Sequence, residues 1–312
     1  MKETFAPKRV RVLFNPKSGS STQIGNVWRA IRDTWDTDGL DLGYYESKSP
    51  EDGKRKVGSA LRDGVDTFIV VGGDGMVNSI GSALIDTDAA LAVIPTGSGN
   101  GFARHFGIPL RPAEASKVLR QGQRQRIDVG FANGKPFFVT CGLAWDADLV
   151  KGFEASPVRG IMPYVFAGIQ HLFTYEPQHF TLDMDGRTVE LEKPLVLTVA
   201  NLTQYGGGAK IAPDAQPDDG TLTMVAALQK DAFALALQVH RLFDGTLQKS
   251  PEIKSWTFQK CLVKRERDDQ IDLDGELVEA GAKDVNIEVK PASLSVIIPA
   301  APEPQRESWS VE

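Results

Sequence analysis

Val70-Val71-Gly72-Gly73-Asp74-Gly75 decides the fold, together with a second stretch downstream, Ala92-Val93-Ile94-Pro95-Thr96-Gly97-Ser98-Gly99-Asn100-Gly101. Each glycine-rich loop follows a short apolar run and precedes a stretch that can be helical. Glycine lets the backbone turn tightly and lets amide N–H groups approach an anion with no Cβ in the way. Two such loops at the ends of neighbouring strands would build one crevice lined with amide donors. Asp74 sits inside the first of them. A carboxylate beside a polyphosphate makes chemical sense when it meets a divalent cation or a hydroxyl proton. The pair therefore reads as a nucleotide phosphate site with metal-assisted transfer chemistry.

Outward from these loops the chain alternates strand and helix signals. Val10 to Phe14 is a short apolar run, followed by the loop Asn15-Pro16-Lys17-Ser18-Gly19-Ser20-Ser21. Ile24, Val27, Trp28, Ile31 and Trp35 recur at helical spacing. Leu40 to Tyr45 reads as a strand and Pro50 to Arg62 as a helix with proline in its first turn. Thr67 to Val71 and Leu91 to Ile94 are further strands, with a helix from Met76 to Ile85 between them. This alternation predicts a parallel, doubly wound sheet. Ligands of such sheets bind beyond the C-terminal ends of the strands, where all three loops fall.

The pattern changes near Arg124. Strands over Arg126 to Phe131 and Pro136 to Cys141 flank the hairpin signal Asn133-Gly134. Phe180 to Met184 and Thr188 to Leu191 flank a second, Asp185-Gly186. Strand signals continue over Leu195 to Asn201, Leu222 to Ala227, Ile253 to Phe258, Leu262 to Arg265, Ile271 to Leu273, Val285 to Val289 and Leu294 to Ile298. Helices are expected over Gly160 to Phe173 and Asp231 to Phe243. The reading is an α/β plus β protein. Residues 1–125 form a doubly wound α/β nucleotide-binding domain, and 126–300 an antiparallel β-rich domain. A tail over 301–312 carries Trp309, which would let it pack back on the first domain.

The 312 residues carry a formal net charge of −6, which argues against nonspecific nucleic-acid binding as the main role. Cys141 and Cys261 are far apart, suit a reducing compartment and lack metal-ligand spacing. His105, His171, His179 and His240 are scattered without ligand spacing. Met1 to Arg9 is polar, and no window reaches the roughly 18 apolar residues of a spanning helix. A cytoplasmic protein is expected, with peripheral contact at the inner membrane surface left open. An exposed edge strand would support a homodimer.

These motifs resemble the diacylglycerol kinase catalytic-domain family, which includes bacterial soluble lipid kinases and the sphingosine and ceramide kinases. The resemblance rests on Phe14-Asn15-Pro16-Lys17-Ser18-Gly19, Gly72-Gly73-Asp74-Gly75 and Pro95-Thr96-Gly97-Ser98-Gly99-Asn100. It continues through Ala212-Pro213-Asp214-Ala215 with Asp218-Asp219-Gly220, and through Asp274-Gly275-Glu276. It covers nearly the whole chain. It implies an NAD kinase-like first domain, a β-sandwich-like second domain, and ATP- and Mg²⁺-dependent phosphorylation of a lipid hydroxyl in the cleft between them. The acceptor would be collected at a membrane surface.

By resemblance, Asn15, Lys17, Gly72, Gly73, Gly75, Asn78, Thr96, Gly97, Ser98 and Asn100 would hold the nucleotide. Asp74 would hold Mg²⁺ or help deprotonate the acceptor, and Glu276 would take the hydroxyl proton or share that task. Asp219, with backbone carbonyls of Gln216 and Thr221, would make a structural cation site. Asp128 would either face the cleft or cap the interdomain turn. The helix from Gly160 to Phe173 would line an acyl pocket, touch a bilayer or belong to the core. Lys151, Arg159 and Arg104 could attract anionic headgroups.

The chain departs from the family where Met76 replaces a threonine, where Ser79 replaces a glutamate, and where Gly101 stands in place of an aspartate. Those departures support the first of two rivals, and Gly72-Gly73-Asp74-Gly75, which NAD kinases carry too, leaves the second. One is a non-catalytic lipid- or nucleotide-binding protein, and the other is an NAD kinase-like enzyme.

Overall fold

In the computed structural model, the described residues are 6–16, 21–145, 175–228 and 237–300, with Glu3, Thr4, Ala147 and Phe233 besides. Lys17, the expected helix from Gly160 to Phe173, Lys151, Arg159 and the tail over 301–312 lie outside them.

Continuous apolar sequence makes the centre of the first layer. Thr67–Gly72 and Ala90–Pro95 are buried at every position, as strands covered on both faces must be. They pair in parallel with each other, and Thr67–Gly72 pairs in parallel with Arg9–Phe14. Arg9–Phe14 pairs in turn with Asp41–Glu46, which closes this end of the sheet. Helices Ser21–Trp35, Pro50–Arg62, Asp74–Ser82 and Pro112–Arg120 cover it. Ser49 caps the second of these, its side chain accepting from the Asp52 N–H at 3.2 Å. The chain direction across the sheet reverses between Arg9–Phe14 and Thr67–Gly72. That switch point places the loops after Phe14 and Gly72 at the mouth of one crevice.

The second layer is antiparallel. Ile253–Phe258, Leu222–Ala227, Val196–Ala200, Thr140–Gly142, Ile271–Leu273 and Glu276–Val278 form a six-stranded sheet in that order. It packs on Phe180–Met184, Lys260–Arg265 and the start of Val285–Ile298 through Phe180, Leu182, Cys261, Val263, Val285 and Ile287 on one side. Leu197, Val199, Leu222, Met224, Ile271 and Leu273 face them. The hairpins expected at Asn133-Gly134 and Asp185-Gly186 form, with positive φ at both residues of each turn.

The last strand joins the two halves. The sequence suggests two strands broken at Lys290-Pro291-Ala292-Ser293, but one 14-residue strand, Val285–Ile298, runs through with a bulge. Its first part alternates buried and exposed and pairs antiparallel with Lys260–Arg265. Its last six residues are all buried and lie parallel to Ala90–Pro95. Pro291 cannot donate to a ladder, and the bulge gives it a place where none is needed. Asp128 holds the bulge. Its Oδ1 accepts from Ala292 N–H at 2.7 Å and its Oδ2 from Gly220 N–H at 2.7 Å. Of the two readings of Asp128, the capping one describes these bonds. The strand Gln123–Ala132, which carries it, runs continuously across the region expected to divide the halves.

Candidate active site

The two glycine loops meet backbone to backbone. A Cβ on Gly97 would lie 2.6 Å from Gly73 Cα, and one on Gly73 would lie 3.1 Å from Gly97 Cα. Neither position tolerates a side chain unless a loop moves. Thr96 N–H donates to Gly72 O at 3.0 Å and ties the loops at their base. Asn100 braces the second loop from within. Its Nδ2 donates to Gly97 O at 2.7 Å, and its Oδ1 accepts from Gly97 N–H at 3.0 Å. Asn100 adopts φ 52°, a left-handed conformation that asparagine tolerates better than most residues. Ser98 is exposed beside it.

Asp74 opens the helix Asp74–Ser82, behind the N-cap Gly73. Its Oδ2 accepts from Gly101 N–H at 2.8 Å and its Oδ1 from Phe102 N–H at 3.0 Å. One carboxylate thus joins both loops. The residue keeps some exposure, yet the protein packed around its carboxyl pushes the pKa upward. The two amide donors and Arg104 pull the other way.

Gly101, one of the departures, has a steric reason. A Cβ there would lie 3.0 Å from both Gln204 O and Tyr205 O. These atoms belong to Gln204–Gly206, which pairs with Ala209–Lys210 as a small hairpin over the loop. Gly207 N–H donates to Gly99 O at 2.8 Å. Behind it, His105 Nδ1 accepts from Thr203 N–H at 3.2 Å and lies 3.1 Å from Thr203 Oγ1. Burial pushes the His105 pKa down to about 4, against a smaller upward pull from Asp218.

The second half delivers its acid from the other side. Asp274 and Gly275 form a two-residue hairpin turn with φ of 55° and 88°, which places Glu276 at the start of the next strand. A Cβ on Gly75 would collide with Glu276 Oε1. The Glu276 carboxylate therefore lies against the residue that follows Asp74 in the chain.

Asp274 itself is buried and spent on structure. It accepts from Phe138 N–H at 2.8 Å, Val139 N–H at 2.7 Å, Thr140 N–H at 3.1 Å and Asn78 Nδ2 at 2.8 Å. Burial raises its pKa to about 6, and these four donors lower it. Asn78 also donates to Pro136 O at 2.9 Å, so its amide spans the two halves. Sequence alone offered no signal for the Asp274 clamp, because Asp185-Gly186 is the same dipeptide in the same kind of turn.

Among the other expected residues, Asn15 and Thr96 are partly buried at strand ends, beside Phe14 and Pro95. Met76 packs on the first core and lies close to Gly72, while Ser79 Oγ donates to Pro50 O at 3.3 Å. Asp219 is exposed, and its Oδ1 accepts from Thr221 N–H at 2.9 Å and Thr221 Oγ1 at 2.8 Å. Gln216 is exposed in the same loop. Among the described residues no three His, Cys, Asp or Glu side chains cluster as a metal cage, and no helix is long and apolar enough to cross a membrane.

Comparison with known proteins agrees with this architecture. Residues 9–132 match the model of the diacylglycerol kinase catalytic domain, and 142–298 match the YegS C-terminal NAD kinase beta sandwich-like domain. A diacylglycerol kinase of Mycobacterium tuberculosis is 30% identical over 255 residues, covering 79% of this chain and 82% of that one. A probable lipid kinase YegS-like of Stenotrophomonas maltophilia is 28% identical over 313 residues, covering 94% and 96%. A crystal structure of a diacylglycerol kinase from Bacillus anthracis superposes with a TM-score of 0.74 at 24% identity, covering 94% of this chain and 98% of that one. That last likeness carries the fold alone. With both family models matched in order along one chain, the protein belongs to the diacylglycerol kinase catalytic-domain family of lipid kinases.

Proposed function

We propose that the protein transfers the γ-phosphoryl group of ATP, with Mg²⁺, to the hydroxyl of a diacylglycerol- or sphingosine-like lipid in the cleft between its halves. The observation that carries this reading is the meeting at Gly75 of an acid from each half, Asp74 and Glu276, beside the paired glycine loops. Residues 1–125 would hold the nucleotide and 126–300 the lipid. Glycine at 73 and 97 lets the two loop backbones touch, which gathers the amide groups of both loops at one crevice where a polyphosphate could approach them.

The residues also fit the metal. Mg²⁺ is commonly held by one or two carboxylates and the substrate phosphates rather than by an all-protein cage. Asp74 supplies such a carboxylate, and Mg²⁺ there would neutralise charge developing on the phosphates.

Asn15, Lys17, Gly72, Thr96 and Ser98 surround the nucleotide in this reading. Asn78 and Asn100 act one step back, shaping the cleft and the loop through the bonds described above. Glu276, exposed at the cleft, accepts the proton of the lipid hydroxyl. The hydroxyl oxygen then bonds to the γ-phosphorus as the bond to the β,γ-bridging oxygen breaks, and ADP leaves with that electron pair. Positioning and charge stabilisation supply most of the acceleration. Asp219 with the carbonyls of Gln216 and Thr221 is assigned a structural cation. Burial raises the pKa of Asp128, repulsion from Asp219 and Asp218 adds to it, and a cation would relieve that charge. The enzyme works from the cytoplasmic side of the membrane surface. The Asp41–Glu46 strand at the end of the sheet offers an edge for a homodimer.

The test uses purified protein, γ-labelled ATP and Mg²⁺ with a panel of lipids in mixed micelles, and Asp74→Ala as control. Label entering one lipid class, and absent with Asp74→Ala, supports the reading and names the acceptor. ATP binding without labelled lipid would leave a binding protein in its place. A water-soluble labelled product would point to an NAD kinase-like reaction.

A further inference from the structure

Five large apolar side chains stand exposed among the described residues, and three of them lie in one stretch of chain: Phe233 at 60%, Leu237 at 63% and Phe243 at 42%. Leu237 N–H donates to Phe233 O at 3.0 Å, the bond of one helical turn, so these two residues share a face. Phe243 belongs to the helical turn His240–Asp244 just beyond. Exposed large apolar groups this close along the chain mark a place of contact.

The patch adjoins the candidate active site. A Cβ on Gly208 would lie 3.9 Å from Phe243 Cδ1. Gly208 sits in the turn of the small hairpin whose Gly207 N–H bonds to Gly99 O. One hairpin thus separates the patch from the second glycine loop.

The surrounding charge is basic. The Lys210 stem approaches within 3.6 Å of the position of a Cβ on Gly245. Arg241 and Lys249 flank the same turn, Lys249 N–H donating to Thr246 O at 3.0 Å. Lys210, His240 and Lys249 are exposed. Among the described residues over 237–249 the acid is Asp244, whose Oδ1 is taken up by Thr246 N–H at 2.9 Å and Thr246 Oγ1 at 2.6 Å. Asp244 is also held ionised by Thr246, and less so by His240 and Arg241.

We infer that Phe233, Leu237 and Phe243, flanked by Lys210 and Lys249, form the surface by which this protein docks on an anionic bilayer. Apolar side chains enter the boundary between headgroups and acyl chains, and the cations hold anionic headgroups. Docking there presents the hairpin, and with it the cleft, to the membrane. The inference rests on the lipid-kinase reading for its purpose, and its measurement does not depend on that reading.

The experiment sediments the full chain with sucrose-loaded vesicles of phosphatidylcholine alone or mixed equally with phosphatidylglycerol. Binding is expected to the mixed vesicles, weakened about 10-fold or more by Leu237→Ser with Phe243→Ser. Lys210→Glu with Lys249→Glu should weaken binding to mixed vesicles at low salt and lose its effect at high salt. Both variants should keep the melting temperature and the phosphorylation of a short-chain lipid in detergent micelles. Wild-type protein that does not sediment with mixed vesicles overturns the inference. So does equal binding by wild type and both variants. A wild-type dimer that the serine variant dissociates, with vesicle binding unchanged, overturns it too and makes the patch a contact between copies. Vesicle binding that depends on the patch, with no lipid phosphorylation by the wild type, leaves docking standing and removes the kinase reading.

Discussion

Gly97→Ala tests the contact between the two loops more directly than any change to an acid. The added Cβ would lie 2.6 Å from Gly73 Cα, 3.0 Å from Asn100 Oδ1 and 3.3 Å from Gly73 N. Carbon atoms in comfortable contact sit about 3.5–4.0 Å apart, so relief needs roughly 1 Å of separation between the loops. Two of the three opposing atoms are backbone, and no rotamer change can move them. Gly97 has no positive φ, so the substitution brings a steric conflict without dihedral strain. Overpacking of this kind costs about 1–3 kcal/mol. In a domain of this size that lowers the melting temperature by about 2–4 °C per kcal/mol.

The functional cost is larger, because a roughly 1 Å misplacement of positioned groups can lower a rate about 100-fold. The expected result is kcat/KM for lipid phosphorylation reduced about 100-fold, with weaker ATP binding by calorimetry. Gly58→Ala is the control. It lies within the helix Pro50–Arg62 and a Cβ there meets nothing within 4 Å. It should stabilise by about 0.5–1 kcal/mol and leave turnover unchanged. Wild-type ATP affinity and turnover in Gly97→Ala would refute the idea that the touching backbones set the site.

Three further outcomes follow from the same bonds. Asp274→Ala strands three backbone amides and the Asn78 amide, and at about 1–3 kcal/mol for each unsatisfied buried group it should cost at least about 3 kcal/mol in urea unfolding. A loss below about 1 kcal/mol would show that water replaces the carboxylate there. His105 has its folded pKa pushed below its unfolded value, so the unfolded chain takes up the proton first as pH falls. Its contribution is complete above about pH 6.5 and lost by about pH 4, a total of about 3 kcal/mol. His105→Asn should remove that part of the pH dependence, and parallel stability profiles for wild type and variant would contradict it. Gly101→Asp, which installs the residue more usual in the family, should lower activity and loosen the hairpin, because its Cβ meets two carbonyl oxygens at 3.0 Å. Raised activity would mean that the hairpin gives way at little cost.

Much of the site is legible along the chain, and the illegible part has a consistent cause. Gly72-Gly73-Asp74-Gly75 and the loop ending at Asn100 announce a crevice because glycine's freedom is a property of the residue itself. Glu276 is singled out by resemblance and by being an acid where Arg187 follows the other turn, since nothing else local separates Asp274-Gly275 from Asp185-Gly186. Both are turns with positive φ, yet one holds the neighbouring strand at Gln259 and Lys260 and the other joins the two halves through Asn78. Met76, Ser79 and Gly101 look like defects in a motif. In three dimensions Gly101 makes room for the Gln204–Tyr205 backbone, Met76 packs against Gly72, and Ser79 bonds to Pro50.

Periodicity settled which segments are buried on one face and which on two, because alternation and continuous apolar runs are written locally. Thr67–Gly72 and Ala90–Pro95 form the centre of a parallel layer on that basis, and the loops after them open on its C-terminal edge. The path of Val285–Ile298 could not be read in this way. Its Lys290-Pro291-Ala292 stretch resembles an ordinary strand end, and it becomes a bulge only because Asp128, 164 residues away, accepts the Ala292 amide. That single strand then links the antiparallel and the parallel parts of one eleven-stranded sheet. The approach of Glu276 to Gly75, the residue after Asp74, likewise depends on contacts between distant parts of the chain, and such contacts leave no periodic trace in either partner's sequence.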